Sequence, residues 1–100
     1  MKMTHFDTVI HAPNRLQICA FLAPLEEAEF RVLRQELDVS DSVLSKHIRQ
    51  LEEAGYVKQR KSTVDGRQRT WASLTRVGRR AFDRHVEELK RLVLFQTSEP

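Results

Sequence analysis

Two clusters of side chains in this 100-residue chain are equipped to bind nucleic acid. The first is Ser42, Ser45, Lys46, Arg49 and Gln50; the second is Lys61, Arg67 and Arg69. Lysine and arginine suit the O6 and N7 acceptors of guanine, and a glutamine amide can pair with adenine, all from the major groove. The same cations suit phosphate, which holds register without reading sequence, so both roles stay open for Lys46 and Arg49. Ser42 and Ser45 allow close backbone approach; helix-start chemistry for Ser42 and plain solvation for Ser45 are the simpler alternatives. Arg67 and Arg69 flank a hairpin tip, where a narrow minor groove attracts arginine, and Lys61 suits phosphate.

The whole-chain balance of +3 conceals an asymmetry. Residues 44–80 hold ten Lys/Arg against three acids, a net of +7, whereas residues 1–43 net −3 and residues 81–100 net −1. A basic cluster of this kind supplies the sequence-independent attraction to phosphate on which DNA binders rely, against the plainer reading of a solvated face. Other classes are poorly supported. No Gly-rich phosphate loop, H-E-x-x-H motif or nucleophile beside a base is present, so neither an enzyme nor a cofactor is expected. No run of about 18 apolar residues and no signal-peptide layout occur, which points to a cytoplasmic protein. The lone cysteine, Cys19, cannot form an internal disulfide, and its apolar setting favours a small core residue over an oxidant sensor.

Periodicity supplies the elements that must position the clusters, within one domain. Phe6 to Ile10 can form a helical turn, and Pro13 fits the first position of a helix over about Asn14–Leu22. That helix is apolar almost all round, so a second buried side, against another subunit, is expected. Glu26, Glu27 and Glu29 suit the first turn of the next helix, whose core face is Phe30, Leu33 and Leu37. A short turn leads to Ser40, a good N-cap, and to a helix whose core stripe is Leu44, Ile48 and Leu51. Ser42, Ser45, Lys46, Arg49 and, less centrally, Gln50 lie opposite, giving a helix-turn-helix over about 26–54. Gly55 stops it, and a hairpin over about 56–74 turns at Asp65-Gly66, with Trp71 packing its return strand. Thr75 caps a last helix over about 76–95, about 30 Å long, with a seam of Gly78, Phe82, His85 or Val86, Leu89, Leu92 and Val93. Residues 96–100 read as a frayed tail. The expected fold is mainly α with a small β-hairpin: a winged helix-turn-helix with a long C-terminal dimerisation helix. Leu16, Phe21, Phe82, Val86, Leu89 and Val93 are the expected subunit contacts, packing on the chain's own domain being the alternative.

The segments Ile10 to Leu16, Leu44 to Val57, Asp65 to Thr70 and Leu74 to Phe82 follow one another in a single order. In them the chain resembles the compact single-domain winged-helix regulators between the MarR and ArsR families. The resemblance implies a sequence-specific transcriptional regulator, a homodimeric repressor whose two recognition helices enter successive major grooves with the wings against flanking minor grooves or backbone. Two positions depart from the pattern: Ser42-Val43 where Gly-Asn is common, and Asp38 where glycine is common. ArsR-type metal sensors pair an Asp-x-His with a later His and a His or Glu; Asp83-Arg84-His85 matches the first half, but Gln96 stands at the second histidine and Glu99 at the last place. A neutral amide is a poor zinc ligand, so no metal site is expected. A protein-binding winged helix and an ArsR-like metal sensor remain the alternatives, and a small-molecule effector of unknown identity is left open.

Overall fold

A computed structural model describes residues 7–98, and the side chains of residues 7–94. Its elements run α1 (Thr8–His11), α2 (Pro13–Leu22), β1 (Ala28–Glu29), α3 (Phe30–Leu37), α4 (Asp41–Glu53), β2 (Val57–Val64), β3 (Arg67–Leu74) and α5 (Arg76–Ser98). The strands form an antiparallel sheet in the order β1-β3-β2. Ala28 pairs with Ala72 and Glu29 with Trp71, while β2 pairs with β3 from Val57 opposite Leu74 to Val64 opposite Arg67.

The core lies where α2, α3 and α4 meet the base of the sheet: Ile10, Ile18, Cys19, Leu22, Leu33, Leu44, Ile48, Leu51 and Val57 are all 2% exposed or less. Burying each side chain of that size is worth roughly 1.5–3 kcal/mol, which fixes the helices relative to one another. Helix stops follow local chemistry. Gly55, at φ 81°, closes α4 with the Gly55 N–H donating to Glu52 O and the Tyr56 N–H to Leu51 O, both at 2.9 Å. Such a paired closure demands a left-handed residue, which glycine adopts at least cost. The same pair of bonds closes α3, but there Asp38 takes the left-handed conformation at φ 53°. Ser40 caps α4, accepting from the Val43 N–H at 3.2 Å.

Three expectations are corrected. Glu26, Glu27 and Glu29 do not enter a first helical turn: α3 begins at Phe30, and Ala28–Glu29 form a strand instead. The tertiary pull of β3's open edge outweighs the macrodipole preference that two or three acids supply. The last helix continues to Ser98 rather than fraying at 95. Its seam also divides: Gly78, Ala81 and His85 turn inward, Phe82, Val86, Leu89 and Leu92 are half-buried, and Val93 and Leu94 stand 58% and 66% exposed. Phe6 lies outside the described residues, and the first helix starts at Thr8, where the Asp7 carboxylate accepts from the Val9 and Ile10 N–H groups.

Gly78 serves close approach rather than conformation. A Cβ there would sit 2.0 Å from Tyr56 O, so the start of α5 lies directly on the corner where α4 ends and β2 begins. Thr75 completes the joint: its hydroxyl donates to Gly55 O at 2.6 Å and accepts from the Gly78 N–H at 2.9 Å.

Candidate nucleic-acid interface

Helix α4 presents its donors because its opposite stripe is fully committed. Leu44, Ile48 and Leu51 are buried, and at 100° per residue the far side carries Ser42, Lys46 and Arg49, all exposed, with Ser45 half-buried beside them. Arg34 of α3 pairs with Asp41 at 3.0 Å, bracing the turn that sets the angle between the two helices.

Gln50 has another engagement. Its Oε1 accepts from Arg15 Nη1 at 2.6 Å, and the same guanidinium donates to the carbonyls of Val9 and Thr8, so Arg15 ties the N-terminal helices to α4. Arg15 also stands 3.3 Å from His47 Nδ1. The Asn14 amide nitrogen stands 3.3 Å from Nε2 on the other side of the ring; both neighbours are donors, and a neutral imidazole accepts from one of them at a time. Desolvation and then Arg15's charge hold the His47 pKa below its usual value, in keeping with a neutral ring. A cleft of about 440 Å³ lies alongside, lined by Thr8, Val9, Arg15, Gln50, Glu53 and Ala54.

The wing tip is a two-residue turn with Asp65 at φ 51° and Gly66 at φ 76°, the positive pair that a type I′ hairpin requires. Lys61 and Arg67 are exposed on its outer part, as are Lys58 and Arg60 nearer the base. Arg69 is less open: its Nη1 lies 3.6 Å from Glu29 Oε1, and the two side chains are 32% and 14% exposed. Arg60 donates from Nε and Nη2 to both oxygens of Glu27, at 3.1 and 2.6 Å, and its guanidinium lies 5.2 Å from the Trp71 ring centre. That double hydrogen bond holds the Glu27 carboxyl below, and Arg60 above, their ordinary values. Trp71 is half-buried with Nε1 wholly enclosed, so its work is packing.

Of the residues picked from sequence, the fold therefore gathers Ser42, Ser45, Lys46 and Arg49 on one helix face and Lys61 and Arg67 on the wing, while giving Gln50 and Arg69 intramolecular partners. Glu29 of β1 and Glu27 just before it were missed as partners of the wing, since a two-residue strand carries no periodicity to detect.

The remaining candidates sit apart from this surface. Asp83 is exposed whereas His85 is 2% exposed, its Nε2 lying 3.2 Å from His11 Nδ1, so the half-matched metal pattern divides between solvent and interior. Glu99 and the Gln96 side chain lie outside the described residues. Among the described residues no group of three or more His, Cys, Asp or Glu is arranged to hold a metal ion, and no helix is long and apolar enough to cross a membrane. Burial, reinforced by Asp7, pushes the Cys19 thiol up to about 12, so it behaves as a small core residue.

Comparison with known proteins agrees with this geometry. Residues 14–93 match the family described as winged helix DNA-binding domain. An uncharacterized protein of Methanocaldococcus jannaschii is 37% identical over 90 residues, spanning 90% of this chain and 94% of its own. The transcriptional regulator homologue from Pyrococcus horikoshii OT3 superposes with a TM-score of 0.82 at 34% identity, covering 87% of this chain and 86% of its own. YusO of Bacillus subtilis shares the fold, with a TM-score of 0.80 at 20% identity over 91% of this chain and 64% of its own.

Proposed function

We propose, for a chain that belongs to the winged helix DNA-binding domain family and is a DNA-binding transcriptional regulator, that it acts as a homodimeric repressor occluding a promoter. The observation that carries this reading is the outward face of α4, where Ser42, Lys46 and Arg49 are exposed over a stripe buried to 1% or less. In this reading α4 lies in the major groove, with Arg49 and Lys46 reading bases and Ser42 and Ser45 allowing close approach. Lys61 and Arg67 on the wing hold the flanking backbone or minor groove. A cytoplasmic location, where such DNA is found, belongs to the same proposal.

The dimer rests on the distal part of α5. The described residues measure 60 × 25 × 21 Å with a radius of gyration of 15.5 Å, above the roughly 13 Å of a compact domain this size. Leu89 is half-buried and Val93 exposed there, while Leu16, Phe21, Phe82 and Val86 are half-buried. A second copy packing on these residues would cover them.

Fluorescence anisotropy on selected duplexes tests the reading. Arg49→Ala is expected to weaken the cognate site by about 1–3 kcal/mol and relax preference at particular bases. Leu89→Asp, which would bury a lone carboxylate between subunits, is expected to release monomers in light scattering at micromolar concentration. A wild type that shows no preferred sequence and scatters as a monomer refutes the dimeric, sequence-specific repressor.

A further inference from the structure

The wing carries more positive charge than it offers to a ligand. Glu29 of β1, Trp71 of β3 and Arg60 of β2 form one row across the sheet, as their pairings place them on the same face. Arg60 lies back along that row, over the Trp71 ring and into the Glu27 carboxylate. Arg69, two residues before Trp71, shares the face and meets Glu29 on the diagonal. Both acids come from the segment ahead of α3, so one stretch of chain restrains two wing arginines.

We infer that Glu27 and Glu29 are positioning residues that limit the wing's overall affinity for DNA, holding Arg60 and Arg69 on the protein so that the wing meets DNA through Lys61 and Arg67. This rests on the reading above, that the wing binds DNA. Non-specific affinity is largely phosphate neutralisation, so each arginine withheld lowers binding to every sequence while leaving base contacts by α4 intact. The pairs therefore set how tightly the wing holds any duplex, and leave the choice among sequences to α4.

The two pairs differ in strength. Arg60–Glu27 is the shorter at 2.6 Å, but its side chains are 52% and 35% exposed, and solvent screens such pairs strongly. Arg69–Glu29 is longer at 3.6 Å, yet the Glu29 side chain is only 14% exposed. A carboxylate so far from water loses its compensation if the arginine leaves, so burial outweighs distance and Glu29 is the firmer restraint.

The test is anisotropy of a labelled random-sequence duplex of about 30 base pairs, titrated at several salt concentrations. Glu29→Gln is expected to tighten binding several-fold and steepen the salt dependence by about 0.9, one additional phosphate. Glu36→Gln, which removes an exposed acid of α3, should do much less. Arg69→Ala is expected to change wild-type affinity by less than about two-fold, but to cancel the gain in the Glu29→Gln background. Glu27→Gln with Arg60→Ala should repeat the pattern at smaller size; being an exposed pair, it decides the matter if melting curves show Glu29→Gln unfolded. Arg69→Ala and Arg60→Ala each weakening the wild type as much as Lys61→Ala would overturn the inference. So would Glu29→Gln tightening binding no more than Glu36→Gln. If Lys61→Ala and Arg67→Ala leave affinity unchanged, the wing does not touch DNA, and the underlying reading falls together with the inference.

Discussion

The wing holds five lysines and arginines and α4 holds two, yet α4 presents its cations more cleanly. Lys46 and Arg49 stand on a helix whose other side is buried in the core, so their backbone is fixed and their side chains face outward. The wing has apolar anchorage only at its base, through Val57, Ala72 and Leu74. Along the hairpin Arg60 and Arg69 turn to Glu27 and Glu29, while Lys61 and Arg67 remain exposed. The contrast teaches that counted charge and presented charge are different quantities. A helix with one buried stripe must show its opposite face; a projecting hairpin, solvated on both faces, leaves long side chains able to fold back onto neighbours.

The largest expected effect attacks the anchorage that distinguishes the two regions. Leu44→Ala should cost about 2–5 kcal/mol by leaving a cavity beneath α4, and with it most DNA binding. Val64→Ala, near the wing tip and half-buried, should cost less than about 1 kcal/mol, since a surface change rarely exceeds that. Chemical denaturation measures both, and equal losses would mean that the wing is as firmly packed as the helix.

A second contrast separates the ways in which the regions hold DNA. Lys61→Ala should weaken all duplexes alike and reduce the salt slope by about 1, whereas Arg67→Ala should be felt most on sites with an A/T-rich flank. Anisotropy across duplexes differing only in their flanks distinguishes them, and identical behaviour would remove the minor-groove role from Arg67.

Acid should act on the helical body and spare the wing, which contains no histidine. His47 and His85 are both held below their usual pKa, each chiefly by burial, with Arg15 and His11 respectively adding to it. Between the folded and unfolded pKa values the unfolded chain binds more protons, so stability rises with pH there. The contribution is complete above the ordinary histidine value of about 6.5 and is lost as pH falls through it toward the folded values. Tm should therefore stay level from about pH 8 to 7 and decline toward about pH 5, with His85→Gln shallower. A Tm that rises on acidification would contradict this assignment.

The smallest effect compares two left-handed aspartates. Asp65 precedes Gly66 in a turn built for positive φ, whereas Asp38 holds the helix-turn-helix corner alone at φ 53°. Asp38→Gly is expected to stabilise the fold by roughly 0.5–1 kcal/mol, because glycine meets no Cβ penalty there. Thermal melts would show it, and a destabilised variant would indicate that the Asp38 side chain contributes more than its backbone conformation costs.

Much of this architecture is local and therefore legible in the chain itself. The three-and-four spacing of Leu44, Ile48 and Leu51, the caps at Ser40 and Thr75, the stop at Gly55 and the Asp65-Gly66 turn each act within a few residues. Those local terms were enough to locate α4, the wing and the face bearing Ser42, Lys46 and Arg49. Tertiary structure alone decided which cations keep their charge outward. Glu29 meets Arg69 forty residues away, Glu27 meets Arg60 across thirty-three, and Arg15 meets Gln50 across thirty-five. No periodicity encodes such meetings, because they depend on β1 adding to the edge of β3 and on α1 and α2 docking against α4. The division of α5 was likewise settled by contact: Gly78 lets the helix start against Tyr56, burying Gly78, Ala81 and His85 and leaving Val93 and Leu94 to solvent. One apolar pattern serves the chain's own core and any partner equally well, and only the position of the rest of the domain separates the two uses.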